Sequence, residues 1–213
     1  MITTFQPYDV HYESAYDEMR HPLEYRLEKR ELWLTSAITE DTFVQQAAWL
    51  SSLLDQSQEE PIKLFVHSPG GDVEQALSIA SLFENCGCPI VSIAVGMVHS
   101  ASLMIYMSGT LRLSYPNSFF LLHAMTYNSD GSVTENEEHS IYAKTMIEEG
   151  VRRLASKTKW QDRKWRSIYN GRAASKFLSM QKMIDAGVVH HVVSYPEIGV
   201  YADRLRHSLG GPP

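Results

Sequence analysis

What most constrains this chain is a repeated alternation: a short, β-branched, almost uncharged run, then a segment of helical period, with glycine between them. Ile62 to Val66 (IKLFV) is a strand with alternating polarity, ended by the turn Ser68-Pro69-Gly70-Gly71. A helix from about Val73 to Glu84 follows, with Asp72 and Gln75 placed as N-cap and N3 of a capping box. Ile90 to Val95 (IVSIAV) reads as a strand buried on both faces; Gly96 is expected to break it. Ala101 to Met107 suits a buried helix terminated by Gly109. Upstream, Glu31 to Ile38 has strand character, and Thr42 to Leu54 places Phe43, Ala47, Leu50 and Leu54 at helical spacing. Downstream come short strands at Leu111 to Ser114 and Phe119 to Leu122, then the longest helical stretch, Glu135 to Lys157. Helical segments at Gln161 to Ile168 and Leu178 to Ala186 lead through Gly187 to a strand at Val188 to Val193. Strand then helix, repeated at intervals of roughly 25 to 30 residues, argues an α/β domain with parallel pairing and right-handed crossovers.

At 213 residues the chain suits one compact domain. Folding at this length removes roughly 70% of the unfolded surface from water, so neither disulfides nor metal are needed. Apolar residues at 44% and charged residues at 21% exclude disordered or collagen-like classes. Nineteen Lys and Arg against 25 Asp and Glu give a net charge of -6, so a basic nucleic-acid footprint is absent. Charge runs through the first thirty residues with no signal-peptide core, which points to a cytosolic chain. Cys86 and Cys88 are too few for a zinc site and closer than Cys-x-x-Cys, so they read as reduced thiols at a helix end. The apolar run Pro89 to Met107 is broken by Ser92, His99, Ser100 and Ser102, which fits a core strand and helix and not a membrane span.

Three places carry chemistry. His67-Ser68-Pro69-Gly70-Gly71-Asp72 is a strand-to-helix turn in which two glycines allow positive φ and close backbone approach, with free N–H groups behind them; an ordinary connection reads the same way. Gly96-Met97-Val98-His99-Ser100-Ala101-Ser102 repeats the pattern of strand, glycine, helix. A serine there is either a cap or a nucleophile held on a sharp turn beside an oxyanion hole, and Gly-x-x-x-Ser spacing does not choose. His123 ends the apolar strand Phe119 to Leu122, where a histidine is structural or a general base. All three in this order would let a base reach the serine.

The run IKLFVHSPGGDVEQALSIASLFENCGCPIVSIAVGMVHSASLMIYMSG, followed by LSYPNSFFLLHA, resembles the ClpP family of self-compartmentalised serine peptidases, and the likeness extends from about Glu31 to Val193. It implies a ClpP/crotonase-like α/β superhelix of ββα units, in a single peptidase domain over residues 31–195 between an N-terminal arm (1–30) and a C-terminal tail (196–213). It places the nucleophile on Ser100 and the base on His123, with the N–H groups of Gly71 and Ala101 as the oxyanion hole. The implied function is an endopeptidase cleaving peptides or unfolded polypeptides held as extended strands, with loose sequence preference and no metal or organic cofactor. The implied assembly is a homo-oligomer of stacked heptameric rings, with residues 135–157 resembling the handle helix that pairs the rings.

Three departures accompany the resemblance. No carboxylate lies between Asp162 and Asp185, where the family's third triad member belongs; Asn170 in IYNGR is the candidate, and the plain turn Asn170-Gly171 is its competitor. An amide oxygen can accept from a histidine N–H but stabilises imidazolium less than a carboxylate does. The hydrophobic start through which the family engages an AAA+ unfoldase has no counterpart in MITTFQPYDVHYESAYDEM, and Ala124-Met125 replaces the usual Gln-Pro turn. Two other readings stay open: a catalytically weak or inactive paralogue serving as a structural or binding subunit, and an acyl-CoA enzyme of the crotonase superfamily.

Overall fold

In a computed structural model of the chain, which describes residues 26–124, 132–169 and 176–208, the apolar runs pair laterally into one sheet. Strands β1 (Glu31–Leu34), β2 (Ile62–Ser68), β3 (Ile90–His99), β4 (Leu111–Ser114) and β7 (His191–Val192) lie in the order β1-β2-β3-β4-β7, all parallel. Strand β5 (Phe119–Leu122) runs parallel to the last residues of β3, and β6 (Lys176–Leu178) is antiparallel to β5.

Parallel strands need both faces covered, and the alternation of side chains divides them. Leu64, Val66, Ile90, Ala94 and Val98 face helices α1 (Glu40–Gln56), α2 (Val73–Asn85), α3 (Ser102–Tyr106), α4 (Val133–Ser156) and α5 (Asp162–Tyr169) in the main core. Phe65, Val91, Ile93 and Leu113 point the other way, with Trp33 stacked on Phe65 at 4.3 Å. Helix α7 (Tyr195–Ser208) covers that face through Ile198, Tyr201, Ala202 and Leu205, and its Arg206 pairs with Glu60 at 2.7 Å. Residues 196–213, expected as a tail, are thus helical through Ser208 and close the second core.

Other boundaries differ for identifiable reasons. Helix α4 begins two residues before Glu135 because Ser132 and Glu135 form a reciprocal capping box. Leu178, expected to open a helix, instead ends strand β6, and Ser179 caps the following helix α6 (Met180–Asp185). Strand β7 keeps only His191–Val192 of the expected Val188 to Val193 run: Val188 N and Val189 N both bond to Met183 O instead. Both cysteines are free thiols at the end of α2, as expected. Among the described residues no helix is long and apolar enough to cross a membrane, and no cluster of metal-ligating side chains occurs.

A buried guanidinium ties the end of α4 to β4. Arg112 donates to the carbonyls of Val188, Gly109, Lys157 and Gly187 at 2.8 to 3.1 Å. Both ring nitrogens of His190 face it: Arg112 N lies 3.2 Å from Nδ1 and Nη2 lies 2.7 Å from Nε2. Burial, then the positive charge of Arg112, push His190 down to about 4. The unfolded chain therefore binds a proton that the native chain refuses, so this contribution is complete above about pH 6.5 and is lost as pH falls toward 4. His99, also held low by burial, adds in the same direction. Thermal melts should show stability falling from pH 6.5 to 4.5, with the slope shallower, though not abolished, in His190→Gln; an unchanged slope would remove His190 from this account.

Candidate active site

Gly96 does not end β3. It sits in a bulge: Val66 pairs with Ala94 but Ser68 with Val98, and the other neighbour of β3 changes from β4 to β5 across the same residues. The conformation is positive (φ +153°), and the His67 ring occupies the place of a side chain there while its Nδ1 accepts from Met97 N at 3.3 Å. The bulge lets β3 run on to His99 and deliver Ser100 at its end.

Ser100 adopts φ +54°, the left-handed region that a serine enters at a cost of about 1 to 2 kcal/mol. It is held there by its N–H, which donates to Leu121 O at 2.8 Å, and by its carbonyl, which accepts from Leu103 N at 3.2 Å. The glycine turn is pressed onto this elbow. A Cβ on Gly70 would lie 2.6 Å from His99 O, 2.8 Å from Ser100 Cβ and 3.0 Å from Ala101 N. Gly71 meets the backbone of Ile38 through a parallel bridge whose bonds are Ile38 N to Gly70 O at 2.9 Å and Asp72 N to Ile38 O at 3.0 Å. Those bonds use the groups flanking Gly71 and not its own N–H. Asp72 then caps α2 by accepting from Glu74 N and Gln75 N.

Two buried serines fasten turn to elbow. Ser68 Oγ donates to Ser36 O at 2.7 Å and accepts from Gly70 N at 3.1 Å. Ser102 Oγ lies 2.7 Å from His99 O and 3.2 Å from Ser68 O. Sequence reasoning missed both, because a serine beside a glycine turn gives no sign of which carbonyl it reaches.

Ser100, Ala101 and His123 line one small cavity of about 20 Å³. His123 Nδ1 is 2.6 Å from Ala124 O, and since a carbonyl only accepts, the proton sits on Nδ1 and leaves the Nε2 lone pair available in the neutral ring. Val73, Met104, Met146 and Ile147 give the cavity apolar walls. Its remaining polar side chain, absent from the sequence reading, is Tyr169 at the end of α5; the hydroxyl is buried and without a hydrogen-bond partner among the described residues. Burial holds that phenol far above its ordinary range, so it remains a donor. His99, edge-on to Phe177 at 6.3 Å, is pushed down by burial and then by His67 and His123. The candidate Asn170 lies outside the described residues, directly after Tyr169.

The strain at Ser100 and the contact at Gly70 make separable predictions. Ser100→Gly should be more stable than Ser100→Ala by about 1 kcal/mol, since glycine enters the left-handed region freely. Gly70→Ala should cost at least roughly 2 kcal/mol, because the methyl group meets backbone rather than a movable side chain. Denaturant titration of the three variants checks both; equal stability of the two Ser100 variants would refute the strain.

Comparison with known proteins agrees with this geometry. The profile of the family described as Clp protease matches residues 14–196. An ATP-dependent Clp protease proteolytic subunit from Bdellovibrio bacteriovorus is 23% identical over 169 residues, covering 78% of this chain and 80% of its own. A proteolytic subunit 2 from Pseudomonas aeruginosa is 32% identical over 130 residues, and one from Treponema pallidum 31% over 119, covering 59% and 54% of this chain. The chain spans about three fifths of the length of those two relatives, 61% and 58%. A solved asparagine-to-aspartate mutant of ClpP1 from Listeria monocytogenes superposes with a TM-score of 0.72 at 21% identity, covering 82% of this chain and 96% of its own. With the profile running through the glycine turn, the Ser100 elbow and His123, this chain belongs to the Clp protease family.

Proposed function

We propose that the chain is a ClpP-type serine endopeptidase acting on peptides or unfolded polypeptides. Ser100 Oγ attacks the scissile carbonyl, His123 Nε2 takes its proton and returns it to the leaving amine, and the N–H groups of Gly71 and Ala101 hold the oxyanion. Each such donor is worth about 3 to 4 kcal/mol to the barrier in comparable enzymes. The single observation that carries the reading is that a serine forced into a left-handed turn lines the same cavity as a histidine whose Nδ1 is already committed to a carbonyl. Asn170 is the proposed third member, its amide oxygen displacing Ala124 O at His123 Nδ1–H in the working site, in place of a carboxylate. The chain works as stacked rings paired through α4, the stretch that resembles the handle helix, and an AAA+ unfoldase is a partner only where something other than the family's hydrophobic start provides the contact.

A second reading, a weak or inactive paralogue serving as a structural or binding subunit, has its own support. None of the described residues lining the cavity is a carboxylate, and Ala124 O occupies the position at His123 Nδ1 that a carboxylate would take. A fluorophosphonate probe separates the two. Under the first reading it labels Ser100 in the assembled protein, Ser100→Ala removes labelling and peptide cleavage together, and Asn170→Asp raises cleavage at least tenfold. An assembled protein that stays unlabelled, with Asn170→Asp no better, establishes the second.

A further inference from the structure

We infer that the Tyr169 hydroxyl holds the water that hydrolyses the acyl-enzyme, an assignment that rests on the proposed Ser100 and His123 chemistry. The cavity at Ser100 measures about 20 Å³. A single water needs roughly 10 to 15 Å³ and two to four polar partners, so the space accommodates a water. Its polar side chains are Ser100, His123 and Tyr169, with apolar walls elsewhere. The Tyr169 oxygen is buried and finds no partner among the described residues. A buried hydroxyl left unpaired is costly and is kept where something else completes it. Serine and histidine are both occupied in the first half of the reaction, which leaves Tyr169 as the group able to fix a water beside them.

The step balances without further reactants. Once the amine product has left, the acyl group is esterified to Ser100 Oγ. The water oxygen accepts from Tyr169 O–H, gives one proton to His123 Nε2 and bonds to the acyl carbon, while the carbonyl electron pair moves onto oxygen. Collapse breaks the bond from carbon to Ser100 Oγ, which leaves with the proton from His123, and the product is a carboxylic acid. Tyr169 neither gains nor loses a proton.

The test is Tyr169→Phe assayed with a short peptide p-nitrophenyl ester, for which acylation is fast. The expected result is an undiminished pre-steady-state burst, a steady-state kcat lowered about 10- to 100-fold, an unchanged kcat/KM, and recovery of turnover when hydroxylamine replaces water as the nucleophile. Fluorophosphonate labelling of Ser100 should proceed at the wild-type rate, and the melting temperature should stay within about 2 °C of wild type, since the hydroxyl has no protein partner among the described residues. An unchanged kcat or a parallel loss in kcat and kcat/KM would each overturn the assignment. A wild-type protein with neither burst nor labelling would overturn the proposed function itself and this assignment with it, whereas a failure confined to Tyr169→Phe removes the tyrosine alone.

Discussion

The absence of a side chain at Gly70 is the constraint on which the rest depends. The turn leaving β2 and the elbow leaving β3 touch backbone to backbone, with no room for a methyl group between them. Because Gly71 is bridged to Ile38 and Asp72 opens α2, the same contact fixes the entry to that helix; because Ser102 reaches both His99 O and Ser68 O, it fixes the entry to α3 as well. The left-handed serine persists because its surroundings over-determine it: its N–H is bonded across to β5 and the glycine turn lies against its Cβ.

The cavity works with neutral groups. His99 follows the bulge and directly precedes the serine, and burial holds its ring below the ordinary histidine range. In the proposed mechanism a proton taken up at His123 Nε2 is faced, across the ring at Nδ1, by the carbonyl dipole of Ala124. That arrangement stabilises an imidazolium less than a carboxylate would, so under the proposed function the identity of the third partner governs the rate.

Most of the sheet was legible in the sequence because its strands are short apolar runs set off by glycine or proline, and Leu111–Ser114 and Phe119–Leu122 fall where that pattern places them. Gly96 was misleading for a physical reason. A glycine in an apolar run signals equally a break or a bulge, and the imidazole of His67 that decides between them arrives from a strand thirty residues away. Strand β6 and helix α7 were missed because tertiary pairing outweighed local pattern: Phe177 pairs with Leu121, and the amphipathic Ile198, Tyr201 and Leu205 have no reason to be helical until a bare sheet face is there to receive them. Of the site, Ser100 and His123 could be named from the sequence, but Tyr169 could not. Only the packing of α5 against the cavity distinguishes it from the chain's other tyrosines.

The bulge at Gly96 also divides β3 between two bodies of unequal strength. Below it lies a five-stranded stack clad on both faces; above it the pairing passes to β5 and β6, of four and three residues, with Phe119 and Phe177 left exposed. The upper pairing is held by few backbone hydrogen bonds and is rooted in the main core through Phe120, Leu122 and Leu178, so its cohesion comes from side-chain burial more than from strand pairing. Ser100 and His123 both lie above this joint, with Ser100 N–H bonded to Leu121 O at 2.8 Å, so one stretch of pairing carries hydroxyl and imidazole together while the stack below Gly96 holds the rest of the fold.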